Sequence, residues 1–342
     1  MTLKFGLIGL GQHGRNAVAP AFEDPQACAE LCAVCDVSPA ALDAFTRPVQ
    51  AKYSDHRQML ANYALDAVYV AAGMDRHCAL VLDCLAAGKH VVVEKPMAST
   101  LPDCRRMIDT ARHAGRVLAV NFETRYSEQN DILRRWIAGG HFGRIEALHF
   151  ANMWDGHKTF GPIRERRARL MALAGALDCG IHKLDQARFL LGGTWNRVEA
   201  LGAWLGEPSE PPPHIGILAQ LSTGVMVTLN ASLAWAANIE PRPMVNTLEI
   251  AGTQGVALCR STPDFRRMTL QLCSATLCQE MTLDSAGHTS DIALLLNDFH
   301  KTVEGGGKAS GSLASGEDGY WAQFATEQAN QSARRNRIPL SS

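Results

Sequence analysis

The sequence predicts an α/β protein with two domains. A doubly wound parallel sheet is expected over residues 1–123, and an α+β domain with an open, mostly antiparallel sheet over residues 124–342. In the first part, apolar runs alternate with helical segments of roughly ten residues, which is typical of parallel βαβ units. In the second part, strand-like runs follow one another with short turns between them, which favours antiparallel pairing. The length of 342 residues also suits two domains better than one.

The elements of the first part are short apolar strands joined by amphipathic helices. Gly88 follows one of these helices and is a typical C-terminal stop. The predicted strands cover residues 3–10, 31–36, 67–72, 91–94 and 117–120, and the predicted helices cover 15–22, 39–45, 56–62, 77–87 and 101–113.

The second part begins with a helix that ends at Gly139-Gly140 and then turns to strand patterns separated by turns such as Ser222-Thr223-Gly224. Two helices close the chain. The predicted helices cover 128–138, 177–191, 291–304 and 316–335, and the predicted strands cover 145–153, 198–205, 216–221, 225–233, 247–251, 256–260 and 268–272.

Composition excludes several classes of protein. Hydrophobic residues make up 46%, charged residues 20%, and the net charge is -1, so a nucleic-acid partner is not expected. No apolar run is long enough to span a bilayer, and the first one belongs to a strand and lacks the features of a signal peptide. The ten cysteines, including Cys28, Cys32 and Cys35, lack metal-ligand spacing. We therefore expect reduced thiols, no metal site and a cytoplasmic location.

The turn after the first strand carries a dinucleotide-binding pattern. Gly9-Leu10-Gly11-Gln12-His13-Gly14 fits G-x-G-x-x-G between a buried strand and a helix. Gly9 permits the tight turn, Gly11 lets the backbone approach a pyrophosphate, and Gly14 lets helix and strand pack closely. The helix N-terminus then offers free N–H groups to the phosphates. The alternative is that these glycines serve only a tight turn.

An acidic residue supports the nucleotide interpretation. Asp36 ends the second predicted strand, 36 − 14 = 22 residues after the last glycine. A carboxylate about 20 residues on accepts hydrogen bonds from the adenosine ribose hydroxyls, and it repels a 2′-phosphate. NAD is therefore favoured over NADP. Arg15 would lie near the phosphates, so NADP remains an alternative cofactor.

Lys95 follows a predicted parallel strand, in the sequence Glu94-Lys95-Pro96. Ligands of doubly wound sheets bind at the carboxyl ends of the strands. Pro96 stops the strand and restrains Lys95 to an extended backbone. A lysine held there can donate to a substrate hydroxyl or carbonyl. A solvated lysine at a strand end is an equally good interpretation of the spacing.

A second chemical pattern lies on the helix predicted near residues 177–191. Asp178, His182 and Asp185 have i, i+4, i+7 spacing, so they share one face beside an apolar stripe. Asp178 can orient the imidazole, which makes His182 a candidate general base. An Asp–His pair of this spacing also occurs as ordinary surface decoration of a helix.

These features, in this order, resemble the Gfo/Idh/MocA family, which includes glucose–fructose oxidoreductases and inositol dehydrogenases. The resemblance spans almost the whole chain, and Glu94-Lys95-Pro96 and Asp178-x-Gly-x-His182-x-x-Asp185 are its specific elements. The matching segments are Gly9–Gly14, Asp66–Ala71 with His77 downstream, Ala87–Met97, Val120–Tyr126, Asp178–Asp185 and Ser315–Gly319.

The resemblance implies a mechanism. Lys95 would contact the substrate hydroxyl and the nicotinamide region, and His182, supported by Asp178, would take the hydroxyl proton as hydride passes to NAD⁺. Asp185 and Arg125 would bind substrate. On the cofactor side, the expected residues are Gly9, Gly11, Gln12, His13, Gly14, Asp36, Ala71, His77, Glu94 and Lys95. The family's second domain commonly forms dimers or tetramers, so a homodimer or homotetramer through the C-terminal sheet is expected.

Two segments depart from the family. Where the family often has Thr-Pro-Asn, this chain has Ala72-Gly73-Met74, which changes groups near the nicotinamide. The segment Trp154–Arg169 is rich in arginine and matches no recognisable substrate class. It is either a solvated loop or a site for a carboxylate or phosphate of the substrate.

The function expected from these residues is NAD-dependent hydride transfer to or from a secondary hydroxyl of a sugar, inositol or related polyol. The polar face of Asp178, His182 and Asp185 suits a polyhydroxylated substrate. Two alternatives stay open: a non-catalytic dinucleotide-binding regulator and an NAD-assisted glycosidase. Retention of Lys95, Asp178 and His182 together argues against the regulator, because a sensor needs no proton-transfer set.

Overall fold

The structure is a computed structural model that describes residues 2–154, 175–204, 210–234, 244–285, 287–308 and 311–337. The chain forms two compact units. One comprises Met1–Ser127 with Ala286–Gln323, and the other comprises Glu128–Ser285 with Phe324–Ser342. Each unit is built around one sheet.

The sheet of the first unit is parallel throughout, and its strand order is β3-β2-β1-β4-β5-β6. The predicted Rossmann sheet is confirmed, since this is the order of a dinucleotide-binding fold. The strands are β1 Leu3–Ile8, β2 Ala29–Cys35, β3 Ala51–Tyr53, β4 Ala67–Val70, β5 His90–Glu94 and β6 Leu118–Asn121. Strand β3 corrects the sequence analysis, which assigned no strand between residues 36 and 67.

The helices of the first unit lie where they were predicted, with bounds that differ by up to three residues. The helix after the glycine turn begins with a π-helical turn, Gly14–Val18, and α4 begins at Met74 rather than His77. The helices are α1 Ala19–Ala21, α2 Pro39–Asp43, α3 His56–Asn62, α4 Met74–Ala86 and α5 Leu101–Ala114, with 3-10 turns at Pro25–Ala27 and Glu123–Tyr126.

A helix from late in the chain completes the core of the first unit. The helix α8, His288–Glu304, places Ile292, Leu296 and Phe299 in one buried cluster with residues of β1. The Phe5 and Phe299 rings lie 5.7 Å apart between centroids. The sequence predicts a second domain over all of residues 124–342, whereas 286–323 group with the first unit in the structure. The reason is burial, because the apolar face of α8 fills the Rossmann core.

The sheet of the second unit has eight strands in the order β14-β13-β12-β11-β7-β10-β9-β8. All pairs are antiparallel except β7 with β10, so the mostly antiparallel prediction is confirmed. The edge strand β14 was not predicted, because most of its side chains are exposed. The strands are β7 Ile145–Met153, β8 Trp195–Ala203, β9 His214–Leu221, β10 Met226–Ser232, β11 Val245–Gly252, β12 Gly255–Ser261, β13 Arg267–Ser274 and β14 Cys278–Asp284.

Helices cover one face of this sheet. The helix α6, Glu128–Ala138, and the helix α7, Leu177–Leu191, have the predicted bounds, and α7 packs on β7 and β10. Gly180 allows the close approach, since a Cβ there would lie 3.3 Å from the Cβ of Ala231. The last helix, α9 Gly316–Arg335, begins in the first unit and ends in the second.

Candidate active site

The glycine turn after β1 has the geometry that a dinucleotide needs. Gly9 has a φ of +102°, and a Cβ there would lie 2.6 Å from the carbonyl carbon of Ala71. A Cβ at Gly14 would collide with the carbonyl oxygen of Gly9. At Gly11, by contrast, a Cβ would meet no described atom within 4 Å, so open space lies beside the loop. Two glycines thus serve packing, and Gly11 leaves room for a ligand to approach the backbone.

Asp36 is bonded to this loop through one carboxylate oxygen and to the residues that follow it through the other. The backbone N–H of Leu10 donates to Oδ2 at 2.7 Å, and that of Ser38 donates to Oδ1 at 2.8 Å. Because each carboxylate oxygen accepts two hydrogen bonds, acceptor capacity remains for ribose hydroxyls. The predicted cofactor residue therefore also holds the turn in place, a role that the motif spacing did not indicate.

A buried carboxylate lies at the carboxyl end of β5. Glu94 is 6% exposed, and its Oε1 accepts hydrogen bonds from the Tyr69 hydroxyl at 2.7 Å and the Asn121 amide at 2.8 Å. The Nε2 of His13, from the glycine turn, lies 3.1 Å from the same oxygen. Three elements, β4, β6 and the dinucleotide loop, thus meet at Glu94.

The charges of this cluster support one another. The Glu94 carboxylate holds the pKa of His13 above its usual value, although burial opposes this. Burial would raise the pKa of Glu94, but His13 and the hydroxyl of Tyr69 outweigh it, and the pKa is lowered. The pKa of the Tyr69 hydroxyl is raised by burial and by Glu94. The arrangement favours the charged forms of both Glu94 and His13 beside the glycine turn.

A second acidic group lies nearby in the same unit. His288 Nδ1 is 2.9 Å from Oε1 of Glu123, and this hydrogen bond raises the pKa of His288. Burial and the charge of Glu123 raise the pKa of Asp291 to about 7. His13 also feels the charges of Glu123 and Lys95, so these groups share one electrostatic environment.

Lys95 directly follows β5, and its side chain is partly buried. The Lys95–Pro96 peptide bond is cis. His77 is 1% exposed, with Nδ1 3.1 Å from the Pro96 carbonyl oxygen and Nε2 3.0 Å from that of Ala72. Burial lowers its pKa. His77 therefore ties the turn after β4 to the turn after β5, and its contact with a cofactor stays a prediction.

Arg125 is 4% exposed and pairs with groups from the end of the chain. Its Nη2 lies 3.5 Å from Oδ1 of Asp318, and its Nη1 donates to the Ser312 carbonyl at 3.5 Å. The structure thus gives Arg125 a positioning role that joins the segment after β6 to the start of α9. Its predicted contact with substrate is untested.

The predicted acid–base set of the second unit lies on α7. Asp178, His182 and Asp185 are 7%, 8% and 0% exposed. Helical spacing puts all three on one side of α7, as expected from the sequence. Their burial argues against surface decoration, because a carboxylate without exposure needs a specific polar environment.

Lys183, next to His182, is a feature that sequence analysis missed. It is 8% exposed, and burial lowers its pKa to about 8. Its ammonium lies 3.4 Å from Oε1 of Gln186, whose amide donates to Asn130 at 2.7 Å. This network joins α7 to α6 and so holds the Asp178–Asp185 face in place.

Three more residues were missed: Tyr69 and Asn121, which donate to Glu94, and His288, which pairs with Glu123. For Tyr69 and Asn121, strand order was the missing signal, since β4 and β6 flank β5 in the sheet. Most of the arginine-rich segment Trp154–Arg169 lies outside the described residues.

In the part of the chain that the structure describes, no group of three or more His, Cys, Asp or Glu side chains is arranged to hold a metal ion. None of the helices there has the length and apolar character needed to cross a membrane.

Two family models match the chain. The model described as "Oxidoreductase family, NAD-binding Rossmann fold" matches residues 3–122, and the "GFO/IDH/MocA C-terminal domain" matches residues 131–258. A 1,5-anhydro-D-fructose reductase of Ensifer adhaerens is 30% identical over 271 residues, covering 78% of this chain and 76% of that protein. An inositol 2-dehydrogenase of Burkholderia multivorans is 35% identical over 56% of this chain and 55% of its own length.

Solved structures share the fold. An oxidoreductase from Agrobacterium radiobacter, in complex with NAD⁺, L-tartaric acid and magnesium, has a TM-score of 0.82 at 22% identity, covering 98% of both chains. The WlbA dehydrogenase of Bordetella pertussis, in complex with NADH and UDP-GlcNAcA, has a TM-score of 0.79 at 23% identity, covering 100% of both. At these identities the likeness establishes the fold alone.

Proposed function

This chain belongs to the GFO/IDH/MocA family of oxidoreductases, and from that premise we propose that it transfers hydride between NAD and a secondary hydroxyl or carbonyl of a sugar, inositol or related polyol. The observation that carries the proposal is the glycine turn at the carboxyl end of β1 in the Rossmann sheet. This turn is open at Gly11 and is hydrogen-bonded to Asp36. The substrate class rests on relatives named for reduction of anhydrofructose and oxidation of inositol.

The residues that would hold the dinucleotide fit it. The turn Gly9–Gly14 and the following helix would bind the pyrophosphate through backbone N–H groups, and Asp36 would accept from the ribose hydroxyls. Bound NAD accepts or donates the hydride. Asp36 favours NAD, because its carboxylate repels a 2′-phosphate. A protonated His13, supported by Glu94, would add positive charge beside the phosphates.

The substrate chemistry falls to Lys95 and the α7 face. Lys95 would donate a hydrogen bond to the substrate oxygen, which stabilises negative charge there during oxidation. His182 would take the hydroxyl proton on a ring nitrogen. Asp178, one turn earlier on α7, would stabilise the imidazolium that forms, and Asp185 would accept from a neighbouring hydroxyl.

Assembly and location are also proposed. Leu201, Leu218 and Met226 are 66%, 54% and 39% exposed on β8, β9 and β10. An apolar group on a sheet face supports a homodimer or homotetramer formed through this end of the sheet. The ten free cysteines support a reducing, cytoplasmic location.

The proposal is tested by following reduced nicotinamide absorbance with NAD⁺ and NADP⁺ separately, across inositols, aldoses and sugar acids. Activity with NAD⁺ and one polyol class is expected, and it should be lost in His182→Ala. His113→Ala is the matched control, because His113 is an exposed histidine of α5 that takes no part in the candidate active site. NAD binding by titration without reduction by any member of the panel would contradict the proposal and favour a regulator.

A further inference from the structure

Two cysteines face each other across the last hairpin of the second unit. The register of β13 and β14 pairs Cys273 directly with Cys278. Both side chains are exposed, and both thiols are free. The neighbouring thiol of Cys278 raises the pKa of Cys273. The other thiol groups of the chain are mostly buried, so this exposed pair stands apart.

The backbone around the pair has the geometry of a cross-strand disulfide site. The N–H of Ser274 donates to the carbonyl of Leu277 at 2.9 Å, so Ser274 and Leu277 are a hydrogen-bonded pair. Hydrogen-bonded and non-hydrogen-bonded pairs alternate along an antiparallel ladder, so Cys273 and Cys278 occupy a non-hydrogen-bonded position. The Cα atoms of such a pair lie about 4.5 Å apart, which is within the range of about 4.4–6.8 Å found in disulfides.

The turn between them is held firmly, which keeps the thiols opposed. The Ser274 Oγ accepts from the N–H groups of Thr276 at 3.3 Å and Leu277 at 3.0 Å. On the far side, Gln271 donates to Glu280 at 2.6 Å, two residues further along the same face. The register is thus held on both sides of the cysteine pair, and bond formation needs no slip of β14.

We propose that Cys273 and Cys278 form a reversible dithiol–disulfide site that is oxidised by small-molecule disulfides such as glutathione disulfide. The thiolate of Cys278 attacks one sulfur of the small disulfide, whose S–S bond breaks and releases one thiol. The thiolate of Cys273 then attacks the sulfur of Cys278, and the second small thiol leaves. The protein loses two electrons and two protons, and the small disulfide gains both.

Position in the fold makes the site accessible. Strand β14 is the edge of the sheet, at the opposite end from β8, β9 and β10, where the apolar surface for assembly is proposed. The site is independent of the NAD chemistry, because it uses no residue of the candidate active site.

The test uses the full-length native protein, reduced, desalted and equilibrated in glutathione redox buffers. Alkylation after acid quenching and peptide mass mapping then locate each oxidised sulfur. Wild type should form an intramolecular Cys273–Cys278 bond that dithiothreitol reverses, with little glutathione retained on either residue. Cys273→Ser should retain roughly tenfold more glutathione on Cys278. In wild type the thiol of Cys273 is present at high effective concentration and displaces the glutathione, and the variant lacks this thiol.

A matched control comes from the exposed Cys28 of the first unit. Cys28→Ser should leave the Cys273–Cys278 bond unchanged. The proposal is overturned if both thiols stay reduced in buffers that modify Cys28. It is also overturned if wild type and Cys273→Ser retain equal amounts of glutathione on Cys278.

Discussion

Replacing Glu94 with glutamine tests the electrostatic core of the first unit. The substitution keeps the shape and removes the charge that three donors share: Tyr69, Asn121 and His13. A hydrogen bond to a charged group contributes about 1.5–3 kcal/mol, against about 0.5–1.5 kcal/mol for a neutral pair. The loss is therefore about 1 kcal/mol for each donor. The His13 side chain is 36% exposed, so solvent screens its share, and the total is about 2 kcal/mol.

The loss should depend on pH. The pKa of His13 is raised above its ordinary 6.5, so its contribution to stability is fully present below 6.5 and is lost as pH rises through the folded value. The pKa of Glu94 is lowered below its ordinary 4.5, so its contribution is present above 4.5 and is lost as pH falls through the folded value. Both contributions are complete between 4.5 and 6.5, the window in which Glu94→Gln should cost most.

Thermal unfolding followed by circular dichroism measures this. For a unit of roughly 150–250 residues, 1 kcal/mol shifts Tm by about 2–4 °C, so Glu94→Gln should lower Tm by roughly 4–8 °C at about pH 5.5. The shift should be clearly smaller at about pH 8.5, because the contribution of His13 is lost as pH rises through its folded pKa. Tyr69→Phe is the control, because its loss should not vary over this range. Equal shifts for Glu94→Gln at both pH values would refute the reasoning.

Four further predictions concern separate groups. Lys95→Ala should lower turnover by roughly 10²-fold while NAD binding is kept; steady-state rates and a binding titration separate the two, and equal loss of both would indicate a structural role. Asp36→Asn should reduce the preference for NAD over NADP roughly tenfold, which corresponds to a change of about 1.4 kcal/mol in the difference between the two binding free energies. Dissociation constants for both dinucleotides measure the preference, and an unchanged ratio would contradict the prediction. Gly11→Leu should fold like wild type but weaken NAD binding, because the leucine side chain enters the open space beside the turn. Gly14→Ala should lower Tm, because its Cβ meets the carbonyl oxygen of Gly9. A lowered Tm for Gly11→Leu with unchanged Tm for Gly14→Ala would contradict this. Asp291→Asn should stabilise the protein more at pH 8 than at pH 5. The pKa of Asp291 is raised from 3.8 to about 7 in the folded protein, so its cost to stability grows as pH rises from 3.8 to 7. Measurement of Tm against pH checks this, and an equal change at both pH values would argue against it.

Much of the candidate site could be predicted because its signals are local. The glycine turn depends on steric needs within a few residues, and the structure gives Gly9 and Gly14 the close contacts that the motif implies. The face of Asp178, His182 and Asp185 follows from helical spacing alone. Such features lie within one element, where side-chain periodicity and backbone geometry determine which residues share a side.

Other parts of the site depend on which elements become neighbours. Tyr69 and Asn121 donate to Glu94 because β4 and β6 flank β5, and no local pattern states that order. The pairing of Arg125 with Asp318 joins residues far apart in the chain. Strand β14 escaped prediction because an exposed edge strand lacks clear apolar alternation.

The sequence by itself determined the two-domain α/β plan, the nucleotide turn and the helix that carries the proposed base, since each follows from short-range periodicity and glycine placement. Only the tertiary structure decided that α8 completes the Rossmann core, that Glu94 is a buried acceptor for His13, and that Cys273 faces Cys278. These contacts arise when the whole chain buries its apolar surface, and burial is a property of the assembled fold rather than of any one segment.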